Sequence, residues 1–314
     1  MDNLKQALPK AQKNPPPAPV VSSSSGSLPS ASKLHAAFSG YFPTWCPGCG
    51  NFGIWTAIKS AFSKMKLNPD KMAVVFGIGC SGNMNDFLWA NSFHALHGRA
   101  IPNAVGIKIA NHSLPVIVIV GDGDCYGEGG NHFLHAARGN HDITVIVHDN
   151  RVYGLTTGQV APTAYKGFKS RSTPNGIIEV PVNPIALAVS QGATFVGQGF
   201  SGDMAHLTQL LESAVKHRGF SVVNVFQPCV TFNHVNSYSW YRERVYKLAP
   251  ENHNPEDINR AWEKSLEVEE KIPLGIIYQV ERPVYTDSLP QLAEKPLVFS
   301  EPVTDLEMLI NEFV

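Results

Sequence analysis

Between Leu114 and Asn150 the chain reads LPVIVIVGDGDCYGEGGNHFLHAARGNHDITVIVHDN, and this stretch constrains the fold more than any other. An apolar run, Leu114 to Val120, meets the turn Gly121-Asp-Gly-Asp124; a helix is expected around Gly130 to Arg138, and a second apolar run, Ile143 to Val147, ends in His148-Asp-Asn150. Both runs are apolar throughout rather than alternating, so both faces of each strand need cover. Strand, helix and strand in that order, with such strands, predict parallel neighbours inside an α/β sheet.

Flanking segments extend this unit. Apolar residues Phe52, Ile54, Trp55, Ile58, Ala61, Phe62 and Met65 recur at helical spacing from Asn51 to Leu67, and Asn68-Pro69 stops the run. Met72 to Ile78 reads as a buried strand entering a tight turn, Gly-Cys-Ser-Gly. Helices are expected over Pro102–Ala110, Pro184–Gln191 and Met204–His217, and strands over Ala193–Val196 and Phe220–Phe226. The predicted fold is α/β: a doubly wound, mostly parallel sheet over roughly residues 40 to 235. Residues 1–33, rich in Pro, Ser and Ala and without a secretory apolar core, are expected to form a disordered or extended arm. Residues 34–245 are expected to form the main domain, and 246–314, with scattered charge and an amphipathic end from Asp305 to Phe313, an extension packing on the core or on a partner.

Bulk properties narrow the classes. A formal net charge of -1 and 16% charged residues give no nucleic-acid signature, and no apolar run approaches the roughly 20 residues that cross a bilayer. Five cysteines, 46, 49, 80, 125 and 229, are an odd set without a secretion signal, which points to the cytoplasm and to thiols used for metal or redox work.

Asp122 and Asn150 fall just past the carboxyl ends of two adjacent parallel strands, where open α/β sheets bind ligands. A carboxylate, an amide oxygen and a nearby backbone carbonyl suit a hard cation such as Mg2+, which can hold a diphosphate, and Gly121 and Gly123 let the backbone approach that anion. The thiols of Trp45-Cys-Pro-Gly-Cys-Gly50 pose a separate question, since a CxxC pair serves a redox dithiol, zinc or iron-sulfur equally well. FSGYFPT makes a poor strand for a thioredoxin-like unit. Cys80 follows one buried strand and Cys229 another, so Cys46, Cys49, Cys80 and Cys229 can meet at one sheet end; four thiolates fit zinc or iron-sulfur. Cys125 is expected to pack as a small apolar residue.

GDGD followed by DN and VYG resembles the thiamine diphosphate enzymes, with Asp149 in place of the first Asn of their usual pair. That resemblance implies Mg2+ on Asp122, Asn150 and the Val152 carbonyl, with Gly123, Asp124, Gly154 and Leu155 against the cofactor. CPGCG, GIGCSG, FHALHGRA, GDGD and NRVYGLTTGQ, in this order, are similar to the beta subunit of 2-oxoacid:ferredoxin oxidoreductases over roughly residues 40 to 235, and more weakly to about 280. What this implies is a 4Fe-4S cluster on Cys46, Cys49, Cys80 and Cys229, and thiamine diphosphate held also by Ile78, Gly79, Cys80, Ser81 and His97. It further implies oxidative decarboxylation of a 2-oxoacid, 2-oxoglutarate before pyruvate, with coenzyme A as acyl acceptor and ferredoxin as electron acceptor. The chain carries only one of the two thiamine-type domains, so the activating glutamate is expected from an alpha-type subunit. LTTGQ replaces the LTKGQ of many relatives, removing a lysine that would contact a substrate carboxylate, and Trp45 stands where some relatives have a basic residue. A non-redox thiamine diphosphate decarboxylase or synthase, lacking iron, and a zinc-stabilised binding module without catalysis are the competing readings.

Overall fold

The computed structural model describes residues 36–249, 252–302 and 306–314; the expected arm at 1–33 lies outside them. Gly50, in a helical conformation, leads into α1 (Asn51–Lys64), whose Ile54, Ile58 and Phe62 are fully buried. Burial of side chains of this size stabilises by about 1.5–3 kcal/mol each, which makes this face the anchor of the helix. There follow β1 (Ala73–Phe76), β2 (Asn91–His94), α2 (Ala100–Ala110) and β3 (Val116–Gly121). A wide helical turn, Gly123–Glu128, leads into α3 (Gly130–Arg138), and β4 (Thr144–Asp149) closes the central unit. A short hairpin comes next, β5 (Val152–Tyr153) with β6 (Gln159–Val160), then α4 (Pro184–Ser190), β7 (Phe195–Phe200), α5 (Met204–Lys216), β8 (Ser221–Phe226) and α6 (Tyr238–Arg242). The last part comprises β9 (Val245–Lys247), α7 (Ile258–Ser265), β10 (Ile272–Gln279) and α8 (Leu306–Ile310).

Eight strands form one sheet in the order β2-β1-β3-β4-β8-β7-β10-β9. All neighbours are parallel except β10 against β7. Alternation along the strands divides two cores, as the two-residue period of a strand requires. Val116, Val118, Val120, Val145 and Val147 face a layer containing Ala104 of α2, Ala136 and Ala137 of α3 and Ala188 of α4. Ile117, Ile119, Ile146, Val223 and Val225 face Ile54, Ile58 and Phe62 of α1 and Leu207 and Leu211 of α5.

Most predicted elements lie within a few residues of these bounds; two differences have physical causes. The strand expected to end at Val196 continues to Phe200, because Gly197 and Gly199 are not breakers there but clearances. A methyl group on them would sit 3.0 Å from Leu210 and 2.7 Å from Leu207 respectively, so α5 packs directly on bare backbone. Beyond residue 245 the chain adds two strands to the sheet, with Pro273 and the left-handed Gly275 (φ +129) obscuring β10 in the sequence. In the amphipathic end Leu306–Ile310 is helical and exposed, and Asp305 lies outside the described residues.

Candidate active site

Most of the functional side chains follow the carboxyl ends of the parallel strands, and Cys46 and Cys49 come from the turn before α1. β3 and β4 pair with Gly121 opposite His148, so the residues just after them, Asp122 and Asn150, emerge side by side. Asp122 is buried, and its carboxylate accepts from the backbone N–H groups of Gly123 and Arg151 and from the Thr163 hydroxyl, with Arg151 N at 2.9 Å. Burial, and secondarily the neighbouring Asp149, push the Asp122 carboxyl up to about 8, a position that a bound cation would relieve. Asn150 Oδ1 accepts from Val152 N at 3.0 Å, an Asx turn that folds the chain back, while Arg151 takes a left-handed φ of +65°. The Arg151 guanidinium stacks 4.0 Å from the Tyr165 ring centroid.

One narrow cavity is lined by all nine residues expected to touch the cofactor, Ile78, Gly79, Cys80, Ser81, His97, Gly123, Asp124, Gly154 and Leu155, and by Asp122, Asn150 and Val152. Ser81 Oγ and Asp124 Oδ2 are buried there without a hydrogen-bond partner among the described residues. The other Asp124 oxygen accepts from Gly98 N at 2.7 Å, and burial raises its carboxyl. His97 Nε2 stands 3.5 Å from both Asp124 Oδ1 and Glu128 Oε2, half-exposed at the mouth. By contrast His94 turns to the Gly77 carbonyl at 3.0 Å, and Arg99 bonds the carbonyls of Gly98 and Glu128.

Cys46, Cys49, Cys80 and Cys229 line a second cavity, of about 230 Å3. Three elements bring them together. A turn in which Cys49 N donates to Cys46 O at 3.0 Å begins α1, Cys80 follows β1, and Cys229 follows β8. Gly50 N donates to Pro228 O at 3.1 Å, and the Trp45 indole N–H to Cys80 O at 2.7 Å, tying the first thiol pair to the other two. Burial first, then the other thiols of the group, pushes Cys49 up to about 12 and Cys80 to about 11. Gly154 leaves room between the two sites: a methyl group there would lie 3.3 Å from Cys80 Sγ and 3.9 Å from Cys229 Sγ. Among the described residues, no three His, Cys, Asp or Glu side chains converge tightly enough to hold a single metal ion. Four thiols around a shared space are a donor set that a four-thiolate metal centre would take, zinc and iron-sulfur alike. Cys125 is buried in the valine-lined core, away from both cavities.

The two cavities share a wall made of Cys80, Asn150, Gly154, Leu155 and Gln227. Sequence reasoning did not single out Gln227 or His148. Gln227 follows β8 directly and precedes the Pro-Cys step, and His148 ends β4; their places at strand ends are the signal that could have found them. His148 is buried, bonds Asn51 Oδ1 through Nδ1 at 2.7 Å, and is held neutral by burial, its proton affinity lowered to about 3.

Comparison with known proteins agrees with this geometry. The thiamine pyrophosphate enzyme C-terminal TPP-binding domain matches residues 69–225, and the C-terminal region of the pyruvate ferredoxin oxidoreductase beta subunit matches 229–294. A Sulfolobus 2-oxoacid:ferredoxin oxidoreductase subunit beta is 46% identical over 83% of this chain and 94% of its own. The 2-oxoglutarate synthase subunit KorB of Methanocaldococcus jannaschii is 34% identical over 80% of this chain and 93% of its own. Among solved structures, a 2-oxoglutarate:ferredoxin oxidoreductase from Magnetococcus marinus, with 2-oxoglutarate, coenzyme A and succinyl-CoA bound, superposes with a TM-score of 0.82 at 35% identity, covering 88% of this chain and 95% of that one. A parallel sheet whose strand ends carry GDGD, DN and four cysteines, matched along most of its length by such relatives, places this chain in the family of 2-oxoacid:ferredoxin oxidoreductase beta subunits.

Proposed function

We propose that the chain is the diphosphate-holding half of an enzyme that oxidatively decarboxylates 2-oxoglutarate, transfers the acyl group to coenzyme A and passes electrons to a ferredoxin. The observation that carries this reading is the shared wall between the two cavities, because electron transfer needs cofactor and cluster side by side. When bound, thiamine diphosphate would supply an electron sink for breaking the bond to the carboxyl group, and a 4Fe-4S cluster on the four cysteines would supply a one-electron acceptor beside it.

The protein's own part is to bind, orient and exclude water. Asp122, Asn150 and the Val152 carbonyl would hold Mg2+, with Thr163 and Arg151 N fixing the carboxylate. The unpartnered Ser81 Oγ and the bare backbone of Gly79, Gly121 and Gly123 would meet the diphosphate. Cys46, Cys49, Cys80 and Cys229 would ligate the cluster, losing their protons as they bind. The cofactor cavity, about 50 Å3, is far smaller than pockets that enclose a cofactor of this size. Leu155, exposed although it lines both cavities, stands where an alpha-type subunit would complete the site and supply the activating glutamate. Both cavities fall within the expected main domain, 34–245; the described residues from Val245 onward add two strands to the sheet, and the extension would pack on this core or on the partner. Free cysteines suit a reducing compartment such as the cytoplasm, and no helix among the described residues is long and apolar enough to cross a membrane.

The substrate assignment follows the relatives named for 2-oxoglutarate. On the family resemblance Thr157 replaces a lysine that would contact a substrate carboxylate, so that contact would come from elsewhere in the complex. The test is anaerobic co-purification with the alpha-type partner, followed by 2-oxoacid- and coenzyme A-dependent reduction of ferredoxin. 2-Oxoglutarate is expected to outrun pyruvate, and the separated chain to be inactive. Faster turnover of pyruvate, or activity of this chain alone, would refute the respective part.

A further inference from the structure

Gln227 is fully buried in the wall between the cavities, and its side-chain amide reaches the Cys49 thiol, which the Asn51 backbone N–H also approaches. Its Nε2 lies 3.2 Å from Cys49 Sγ and 3.1 Å from Pro228 O. The Pro228 carbonyl fixes which end of the amide is nitrogen, since the flipped orientation would set two oxygens against each other. Both N–H groups are thereby assigned, one to the carbonyl and one to the sulfur. The amide oxygen has no hydrogen-bond partner among the described residues and belongs to a side chain that also lines the cofactor cavity. Steric room is tight, since a methyl group on Gly50 would sit 2.9 Å from Gln227 Cγ, so the backbone before α1 packs directly on this side chain.

We propose that Gln227 is a tuning residue for the electron path: it donates an N–H···S hydrogen bond to the Cys49 ligand and so raises the reduction potential of the cluster. This rests on the four-cysteine cluster argued above. The physical reason is charge. Reduction adds an electron that is shared with the thiolate sulfurs, and a fixed donor aimed at one of them stabilises the reduced state more than the oxidised one. Gln227 is buried, and at the lower local dielectric of a buried site one amide dipole acts more strongly than in bulk water.

Two measurements on the anaerobically purified complex with its alpha-type partner decide the matter. The first needs no variant. With glutamine labelled at the side-chain amide by nitrogen-15, pulsed EPR of the reduced cluster should show a nitrogen-15 coupling that unlabelled protein lacks, and its absence from a cluster-containing sample overturns the proposal. The second is an EPR-monitored redox titration of Gln227→Met, which keeps shape but not the donor, and Gln227→Glu, which sets an acceptor against the sulfur. The midpoint potential is expected to fall in the order wild type, Gln227→Met, Gln227→Glu, with iron content unchanged. Equal potentials in wild type and Gln227→Met overturn the proposal. Wild-type complex without iron or a cluster signal instead defeats the cluster assignment itself, so the two failures are distinguishable.

Discussion

The two halves of the site are built in opposite ways. The proposed diphosphate cradle is local: Asp122, Asn150 and Val152 come from consecutive ends of two paired strands, and backbone N–H groups hold the Asp122 carboxylate in place. The thiol cage is assembled from three distant parts of the chain in a largely apolar space, where burial keeps Cys49 and Cys80 protonated. A local, hydrogen-bonded site is preorganised for a small hard cation, whereas a non-local one is organised around what fills it. The two therefore should respond differently to damage, and Cys80, which lines both, should not.

Substitution Cys80→Ser has the largest expected effect. It should abolish iron uptake and 2-oxoacid oxidation and also weaken thiamine diphosphate binding, as read by iron analysis and cofactor titration; retention of all the iron would break the comparison at its hinge. Asp122→Asn removes the carboxylate from the cradle alone. Mg2+-dependent cofactor affinity should fall at least ~100-fold, while iron content and the cluster spectrum stay intact. Thr163→Val strips one hydrogen bond from the same carboxylate, and a loss of about 1–1.5 kcal/mol, or roughly tenfold in cofactor affinity, is expected by isothermal titration. Trp45→Phe should have the smallest effect, sharpening the contrast from the other side. It removes the indole bond to the Cys80 carbonyl and should cost about 1 kcal/mol of stability by thermal denaturation, with cofactor affinity unmoved.

How much of this was legible in the sequence follows the same division. The βαβ unit, the buried strands and the Asp122–Asn150 pair are written in short stretches, where apolar runs and turn residues leave little freedom. β10 was missed, because Pro273 and Gly275 break a run that reads as a strand only once β7 offers it an edge. β7 was cut short at its glycines, whose purpose is visible only with Leu207 and Leu210 lying on them. Cys46, Cys49, Cys80 and Cys229 could be grouped by counting strand ends, but a dithiol, zinc and iron-sulfur remained open on that count alone. Gln227 carried no signal of its own, since an isolated Gln after a strand is ordinary until its amide is seen between a carbonyl and a sulfur.

By itself, then, the sequence determined the parallel α/β architecture and the end of the sheet at which chemistry is placed. Periodicity and turn chemistry act over a few residues, and a parallel sheet sends every strand's carboxyl end to one rim. Only the tertiary structure decided that the two cavities share a wall, that Gly154 keeps that wall thin, and that a single buried amide reaches from it to Cys49. Those relations join residues far apart in the chain through packing, and no local pattern encodes a contact whose geometry depends on how two faces of a sheet are filled.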